Sequence, residues 1–203
     1  MSGKKLQYKQ RKIITEAVLV AYPNLAAPKA FKEGDKPMFS IKALFDGNDL
    51  PLKVSVDKKA FVNSTLSKVI SEIKSEAFTP NAAGVVVGYS SPIQNGDEAE
   101  HECFFGKKHF NAKNFPDTKI PVVDGAKSPV DPSEIYSGCY CKLQLAIQPW
   151  DSHGKKGIRF NLLGIQLLRK GEPLALGGQV GKVDDFETIE GYESESEVSN
   201  SDW

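Results

Sequence analysis

The sequence predicts a mainly β protein with one main helix, and three observations support this prediction. Apolar and polar residues alternate in several short segments, glycine-containing turns separate these segments, and only one stretch has helical periodicity. With 203 residues, 40% of them hydrophobic and 26% charged, the chain is long enough for one sizeable globular core. We expect neither a membrane protein nor a disulfide-stapled one, because no apolar run approaches about 20 residues and the three cysteines follow no framework pattern.

Three predicted strands precede the helix. An apolar, β-branched run over residues 13–22 ends at Pro23, which cannot donate to a ladder. Alternation over residues 39–45 and again over residues 52–56 indicates two further strands, and the turn at residues 46–49 predicts that they form a hairpin. The alternation means that each of these two strands buries one face and exposes the other.

One apolar stripe predicts the main helix. Its members recur at the spacing of a single helical face: Leu66, Val69, Ile70, Ile73 and Ala77. Asn63 or Ser64 can cap the start of this helix, and Thr79-Pro80 ends it.

Short strands return after the helix. Residues 107–113 form a predicted strand that carries polar side chains on one face: Lys107, His109, Asn111 and Lys113. Residues 139–147 alternate core positions, Cys139 and Cys141 included, with polar ones, and a final strand pair covers residues 158–169. Strands, one helix and strands again predict an OB-fold five-stranded β-barrel with long loop insertions and with its helix between the third and fourth strands. Composition alone leaves other small barrels open.

The charge is divided sharply along the chain. Residues 184–203 contain eight acidic groups and no lysine or arginine. Because the whole chain has 26 basic and 26 acidic groups, residues 1–183 carry a net charge of +8. We therefore expect a flexible basic arm at residues 1–12, an OB-fold domain at residues 13–183 that attracts polyanions, and a disordered acidic tail at residues 184–203 that competes for the same surface.

The sequence contains no recognisable catalytic motif, and we therefore expect a binding protein and not an enzyme. Cys139 and Cys141 would lie on the core side of a strand, where they do not form a chelate, and no second pair completes a metal site near His101 and Cys103. Paired carboxylates occur only in the acidic loop at residues 97–102 and in the tail, where an acid–base geometry cannot be preorganised. We expect neither a metal nor a cofactor.

Lysines interleaved with aromatic residues indicate a site for single-stranded nucleic acid, because cations follow the phosphates while rings stack on unpaired bases. The predicted phosphate contacts are Lys107, Lys108, Lys113, Lys142, Lys155, Lys156 and Arg159. The predicted stacking residues are Tyr22, Tyr89, Phe110, Tyr140 and Trp150, with Phe110 open to a core position instead.

The acidic tail predicts a second binding function. Its ends combine carboxylates with rings, which suits an apolar pocket surrounded by basic groups on a partner. The predicted partner-binding residues are Asp184, Asp185, Phe186, Glu187, Asp202 and Trp203. A merely solubilising tail is the alternative.

Several segments resemble a family of phage-encoded single-stranded DNA-binding proteins. The likeness covers VAYPNLAAPKAF (20–31), MFSIKALF (38–45) and PVVD (121–124), and it is most specific in the long segment from residue 135 to 178 that contains YSGCY and GEPL. The resemblance implies an OB-fold that coats single-stranded DNA during phage replication, recombination or repair, in the cytoplasm of the infected bacterial host. It also implies that the tail recruits phage or host replication proteins such as a DNA polymerase.

Three rival functions stay open at this point. A virion or scaffold protein could use the tail for solubility alone, a metal-dependent nuclease could act on the same DNA, and RNA could be the ligand. The sequence also leaves open whether the chain forms a homodimer, and it predicts no membrane partner.

Overall fold

The computed structural model describes residues 8–30, 32–57 and 60–176. The strands are β1 (Arg11–Thr15), β2 (Val18–Lys29), β3 (Met38–Asp46), β4 (Pro51–Asp57), β5 (Ala60–Thr65), β6 (Tyr89–Ser90), β7 (Gln94–Asn95), β8 (Lys107–Asn114), β9 (Val122–Val123), β10 (Tyr140–Ser152) and β11 (Lys155–Arg169). One α-helix, α1, covers Leu66–Ala77, and short 3-10 turns cover Gly96–Glu98, Glu102–Phe104 and Pro132–Glu134.

Five of these strands close into a ring. The hydrogen-bonded order is β10, β2, β3, β8, β11 and back to β10, with only the β8–β11 pair of the ring parallel. This order, in which the first strand pairs with the second and fourth and the third pairs with the fifth, is that of a five-stranded Greek-key barrel of the OB type. The predicted mainly β fold with one helix is confirmed.

The hairpin of β4 and β5 lies outside the ring, and this differs from the prediction. β4 pairs with β1 and β5, whereas β3 pairs with β2 and β8, so the predicted hairpin between residues 39–45 and 52–56 is wrong. The physical reason is burial: Leu50 and Leu52 become part of the main core when β4 crosses to β1. As a result α1 lies between the second and third strands of the ring, not between the third and fourth.

The strand β2 continues past Pro23, where the sequence predicted its end. Tyr22 adopts a left-handed backbone with φ of 48°, and the pairing with β3 shifts register between Ala21 and Asn24. The resulting bulge removes Pro23 from the ladder, so its missing N–H costs no hydrogen bond. The backbone N–H of Tyr22 donates instead to Oγ of Ser137, at 3.0 Å.

The helix α1 forms where the apolar stripe predicts it, but its capping differs. Thr65 is the N-cap residue and makes no capping bond with its side chain, so neither Asn63 nor Ser64 caps this helix. Oδ1 of Asp49 accepts hydrogen bonds from the backbone N–H groups of Leu50, at 2.9 Å, and Ser67, at 3.0 Å. Burial alone would raise the pKa of Asp49, but hydrogen bonds from Thr65, Ser67 and Leu50 together hold it below its ordinary value. Asp49 therefore stabilises the start of α1 as a carboxylate from outside the helix.

The predicted basic arm at residues 1–12 overlaps the first strand. Residues 1–7 lie outside the described residues, and Arg11 and Lys12 already belong to β1. The backbone N–H of Lys9 donates to Glu76 at 3.2 Å, and Arg11 makes an ion pair with Glu76 at 2.5 Å. The hydrogen bond to Glu76 also raises the pKa of Arg11. Because Glu76 belongs to α1, these contacts attach residues 9–11 to the helix.

Within the described ranges no helix is long and apolar enough to cross a bilayer.

Candidate nucleic-acid interface

Three neighbouring ring strands expose a row of polar side chains on the outside of the barrel. Lys42 on β3 pairs with Asn111 on β8, and Lys113 on β8 is level with Asn161 on β11, two residues from Arg159. The intervening residues Ile41, Ala112 and Phe160 point into the core and are buried. We call Lys42, Asn111, Lys113, Arg159 and Asn161 the outer band. Adjacent strands lie about 4.8 Å apart, so the band crosses about 10 Å of the barrel surface.

The hairpin of β10 and β11 continues the outer band around the curve of the barrel. Gln148 pairs with Arg159, whose Nη2 donates to Oε1 of Gln148 at 3.0 Å. Trp150 is half-buried and lies over Gly157, where an added Cβ atom would come within 2.8 Å of the indole Cζ2. Only glycine at position 157 leaves room for the indole in this position.

The tip of this hairpin is a two-residue turn that carries two of the predicted lysines. His153 and Gly154 both have positive φ, of 49° and 78°, as a two-residue hairpin turn of the I′ type requires. Lys155 is exposed, and the backbone N–H of Lys156 donates to the carbonyl of Gly88 at 2.8 Å. The tip is therefore held against the loop that precedes β6, where Lys156 pairs with Tyr89 while Trp150 pairs with Gly157.

Three predicted phosphate contacts lie apart from the outer band or are engaged by the protein itself. Nζ of Lys107 pairs with Asp46 at 2.6 Å, and Nζ of Lys142 pairs with Glu16 at 2.7 Å. Nζ of Lys108 donates to the carbonyl of Asn48 at 2.9 Å, on the side of the strand that faces α1. The sequence could not reveal these partners, because each is distant along the chain.

Phe110 is not available for stacking, contrary to its inclusion among the stacking residues. Its side chain is 0% exposed and contacts Phe160 with ring centroids 4.6 Å apart, while Phe45 lies 6.3 Å away. On β8, position 110 alternates with the outward positions 109 and 111, so the strand itself points this ring into the core. Base stacking by Phe110 is incompatible with this fold.

Two other predicted stacking residues already have cationic partners. Nζ of Lys74 lies 4.5 Å from the ring centroid of Tyr89, whose pKa is raised by burial. The guanidinium of Arg169 covers the ring of Tyr140 at 3.5 Å. Because one face of each ring is occupied, each can offer at most the other face to a base.

The ring of Tyr22 lies near the outer band. Tyr22 is 38% exposed, and Nζ of Lys42 lies 5.6 Å from its ring centroid. The structure thus brings Tyr22, Lys113, Arg159 and Trp150 to the outer band and its extension, and separates Lys108, Lys142, Tyr89 and Tyr140 from it.

Cations on and beside β3 were not among the predicted phosphate contacts. Lys42 belongs to the outer band, and three lysines in or next to the β2–β3 loop are exposed: Lys29, Lys32 and Lys36. The polar position of Lys42 in the alternation of residues 39–45 was the signal available for it. The loop lysines had no such signal, because they follow no alternating pattern.

No metal chemistry is visible in the part of the chain that the structure describes. Over residues 8–30, 32–57 and 60–176, no three His, Cys, Asp or Glu side chains could jointly hold a metal ion. Cys139 and Cys141 are both buried in the main core, as predicted. Burial, and then Cys139, raise the pKa of Cys141 to about 12, which keeps it a neutral thiol. The tail residues proposed for partner binding, Asp184, Asp185, Phe186, Glu187, Asp202 and Trp203, lie outside the described residues.

Comparisons with known proteins show the family of this chain and agree with its fold. A family model described as the ssDNA-binding protein of Enterobacter phage Enc34 matches residues 11–198. The solved structure of the single-stranded DNA-binding protein from bacteriophage Enc34 in complex with ssDNA is 22% identical, with a TM-score of 0.54, and the match covers 80% of this chain and 88% of that one. The single-stranded DNA-binding protein gp2.5 of bacteriophage T7 is 20% identical, with a TM-score of 0.50, over 91% of this chain and 98% of that one. No curated protein matches significantly.

Proposed function

Because this chain belongs to the family of the ssDNA-binding protein of Enterobacter phage Enc34, we propose that it binds single-stranded DNA without sequence preference and without chemical turnover. The observation that supports this most strongly is the outer band, which aligns Lys42, Lys113 and Arg159 on adjacent strands of an OB-type ring. The outer face of the second and third strands is where OB-folds bind oligonucleotides.

Phosphates and bases would use different parts of this surface. The cations of the outer band and of the hairpin tip, Lys155 and Lys156, would contact phosphates, while Trp150 and Tyr22 would stack on bases at either end. Stacking accepts any base because every base has a π-face, which explains binding without sequence preference. We infer that the strand follows the curve of the barrel from β3 to β10.

Fluorescence anisotropy with labelled oligonucleotides of equal length tests this proposal. We expect single-stranded DNA to bind more tightly than duplex DNA or RNA, with the logarithm of the binding constant falling with the logarithm of salt at a slope of about −3.5, as five neutralised phosphates predict. Absence of salt dependence would contradict the phosphate contacts. Cleavage of the strand on addition of Mg²⁺ would favour the nuclease alternative, and no binding at all would favour a virion or scaffold protein.

We propose that the acidic tail competes with DNA for the basic body of the protein. Residues 1–183 carry a net charge of +8, and a tail tethered to them has an effective concentration on the order of millimolar. Deletion of residues 184–203 should therefore tighten DNA binding. Unchanged or weaker binding by the truncated chain would refute competition.

The same tail is our candidate for recruiting phage or host replication proteins, such as a DNA polymerase, during replication, recombination or repair in the host cytoplasm. The alternation of carboxylates with Phe186, Tyr192 and Trp203 supports this, because rings and acids together suit a basic apolar pocket. A pull-down of the polymerase by the full chain, lost on replacing Trp203 with alanine, is the expected result. Retention by the truncated chain would assign recruitment elsewhere.

A homodimer is supported by one feature of the fold. In the described ranges β5 pairs only with β4, contains no charged residue, and leaves Phe61 and Val62 41% and 48% exposed. Such an unprotected edge strand can pair with a second copy of itself. Light scattering should report a dimer that Val62→Lys separates, whereas Val85→Lys, at a valine exposed elsewhere, should leave it intact. A monomer in the unmodified protein would remove this prediction.

A further inference from the structure

The loop between α1 and β8 encloses a cavity on the outside of the barrel. Its 3-10 turns cover Leu44 and Ala21, forming a second apolar cluster around the buried ring of Phe104. Phe104 and His109 lie at the bottom of the resulting cavity, with their rings in an edge-to-face contact at 5.4 Å. The space has a volume of about 700 Å³ and opens to solvent beside Tyr22. We call it the Tyr22 cavity.

Aromatic surface is concentrated at this cavity. The ring of Tyr22 lies nearly parallel to that of Phe104, at 18° and 6.3 Å, and His101 is 6.3 Å from both. Tyr22 also holds a left-handed backbone, which is rare for a bulky residue and persists only where the surrounding structure enforces it. The bulge in β2 therefore directs a ring toward a space large enough for a nucleobase.

One buried polar atom in the cavity floor lacks a partner. Over the described ranges, Nδ1 of His109 is the one buried side-chain nitrogen or oxygen with no hydrogen-bond partner, and the residue is 4% exposed. Burial, and then the charge of Lys42, lower the pKa of His109, so the imidazole is neutral at neutral pH. Native proteins pair nearly all of their buried polar groups, so this nitrogen is available to hydrogen-bond with a group that enters the cavity.

The charges that line the cavity select against phosphate. Glu98 and Glu100 are exposed carboxylates on its wall, and they outnumber the single cation, Lys42. Lys42 belongs to both the cavity and the outer band, and the other charged members of the outer band, Lys113 and Arg159, are cations outside the cavity lining. A strand bound along the outer band would therefore place its phosphates at Lys113 and Arg159, outside the cavity, while an uncharged base could enter it.

We propose that the Tyr22 cavity binds one unpaired base that carries an exocyclic amino group. Tyr22 stacks on the base, and the carboxylates of Glu98 and Glu100 accept hydrogen bonds from its amino group, as acidic side chains accept from N4 of cytosine. Thymine, which has no exocyclic amino group, gains only the stacking. This inference rests on the proposed function and adds to it a modest base preference at one position along the strand.

Binding of dC and dT oligomers of equal length, measured in the same salt, tests the proposal. The unmodified protein should prefer dC about fivefold, the lower end of what one base-edge contact contributes. Glu98→Leu with Glu100→Leu should reduce that ratio to about one. The matched control Glu33→Leu, which removes a carboxylate from the exposed β2–β3 loop, should tighten binding of both oligomers equally and keep the ratio.

Photocrosslinking gives a readout independent of affinity. An oligomer containing 5-iodo-deoxycytidine should crosslink to the peptide containing Tyr22, and Tyr22→Leu should abolish that product while leaving binding measurable. Two results overturn the inference: equal affinity for dC and dT in the unmodified protein, or a preference that survives the double glutamate substitution. Failure to bind any single-stranded oligomer would instead overturn the proposed function.

Discussion

The outer band and the cavity beneath α1 contain the same kinds of residue and use them differently. The helix-side cavity, about 490 Å³, brings together Lys74, Lys108 and Tyr89. There Lys74 covers the ring of Tyr89, and Lys108 donates to a backbone carbonyl. In the outer band, Arg159 donates to the neutral amide of Gln148, and on the adjoining hairpin Trp150 is only half-buried. Lysine beside an aromatic ring is therefore not sufficient to mark a nucleic-acid site, because the groups that each side chain already contacts decide what it can bind.

The difference lies in position within the ring of strands. Asn111 on β8 and Arg159 on β11 point outward and are exposed, whereas Lys108 has the inward parity of the core residue Phe110 and reaches the end of the barrel near α1. A strand alternates its faces with every residue, so a shift of one position moves a lysine from one region to the other. Substitutions matched between the two regions can test this comparison.

The largest expected effect concerns the core beneath both regions. Phe110→Ala should lower the free energy of unfolding by about 3–5 kcal/mol, because it removes a fully buried ring. The affinity of the remaining folded protein for single-stranded DNA should stay unchanged. Chemical denaturation and anisotropy measure the two quantities. If the variant kept normal stability but lost DNA binding, Phe110 would be a binding residue and not a core residue.

The aromatic residues of the two regions give the next effect. Trp150→Ala should weaken binding by about 1–3 kcal/mol, the contribution of one stacked base, without changing the salt slope. Tyr89→Ala, its counterpart in the helix-side cavity, should lower the melting temperature and leave affinity within about twofold. Indole fluorescence of a Trp203→Phe variant, which retains only Trp150 of the two tryptophans, should be quenched by DNA. Equal losses in both alanine variants would break the comparison.

The cations give a smaller effect with a distinct signature. Lys113→Gln with Arg159→Gln should weaken binding about tenfold at low salt and make the salt slope shallower by about 1.4, since two phosphate contacts are lost. Lys74→Gln with Lys108→Gln changes the net charge equally but should leave the slope unchanged. A common change of slope in both pairs would mean that only the overall charge matters.

The smallest effect tests whether the helix-side region serves stability. Asp49→Asn should lower the free energy of unfolding by about 1 kcal/mol at neutral pH, because it removes the carboxylate at the start of α1. The pKa of Asp49 is depressed in the folded protein, so its stabilisation is present above the ordinary pKa of aspartate and is lost as the pH falls through the folded-state pKa. The stabilities of the two proteins, measured by urea denaturation, should therefore converge once the pH falls below the folded-state pKa of Asp49. A difference independent of pH would exclude the carboxylate as the cause.

Local sequence patterns predicted where the helix and strands form better than they predicted which strands pair with each other. Leu66, Val69 and Ile73 recur at helical spacing and are buried as that spacing requires. The alternation of Cys141, Leu143 and Leu145 likewise identified the core face of β10. These signals are contained within single elements, so one sequence suffices to read them.

Pairing between distant segments could not be predicted in the same way. Nothing local distinguishes a β4 that returns to β3 from one that crosses to β1, because the gain from burying Leu50 and Leu52 depends on the assembled core. The ion pairs of Lys107 and Lys142 have the same origin, since their carboxylate partners, Asp46 and Glu16, come from distant segments of the chain. The sequence therefore predicted the kinds of side chain in the candidate interface, but it predicted only some of the residues that lie there.

The last strand, β11, also determines when the sheet can close during synthesis of the chain. β11 pairs with β6, β8, β9 and β10, so four segments made earlier have no common partner until it emerges. A nascent chain whose residues 155–169 are still inside the ribosome has an open sheet and lacks Arg159 and Asn161, two of the five outer-band residues. We therefore expect translation that stops before Arg169 to yield aggregation-prone fragments with an incomplete candidate interface.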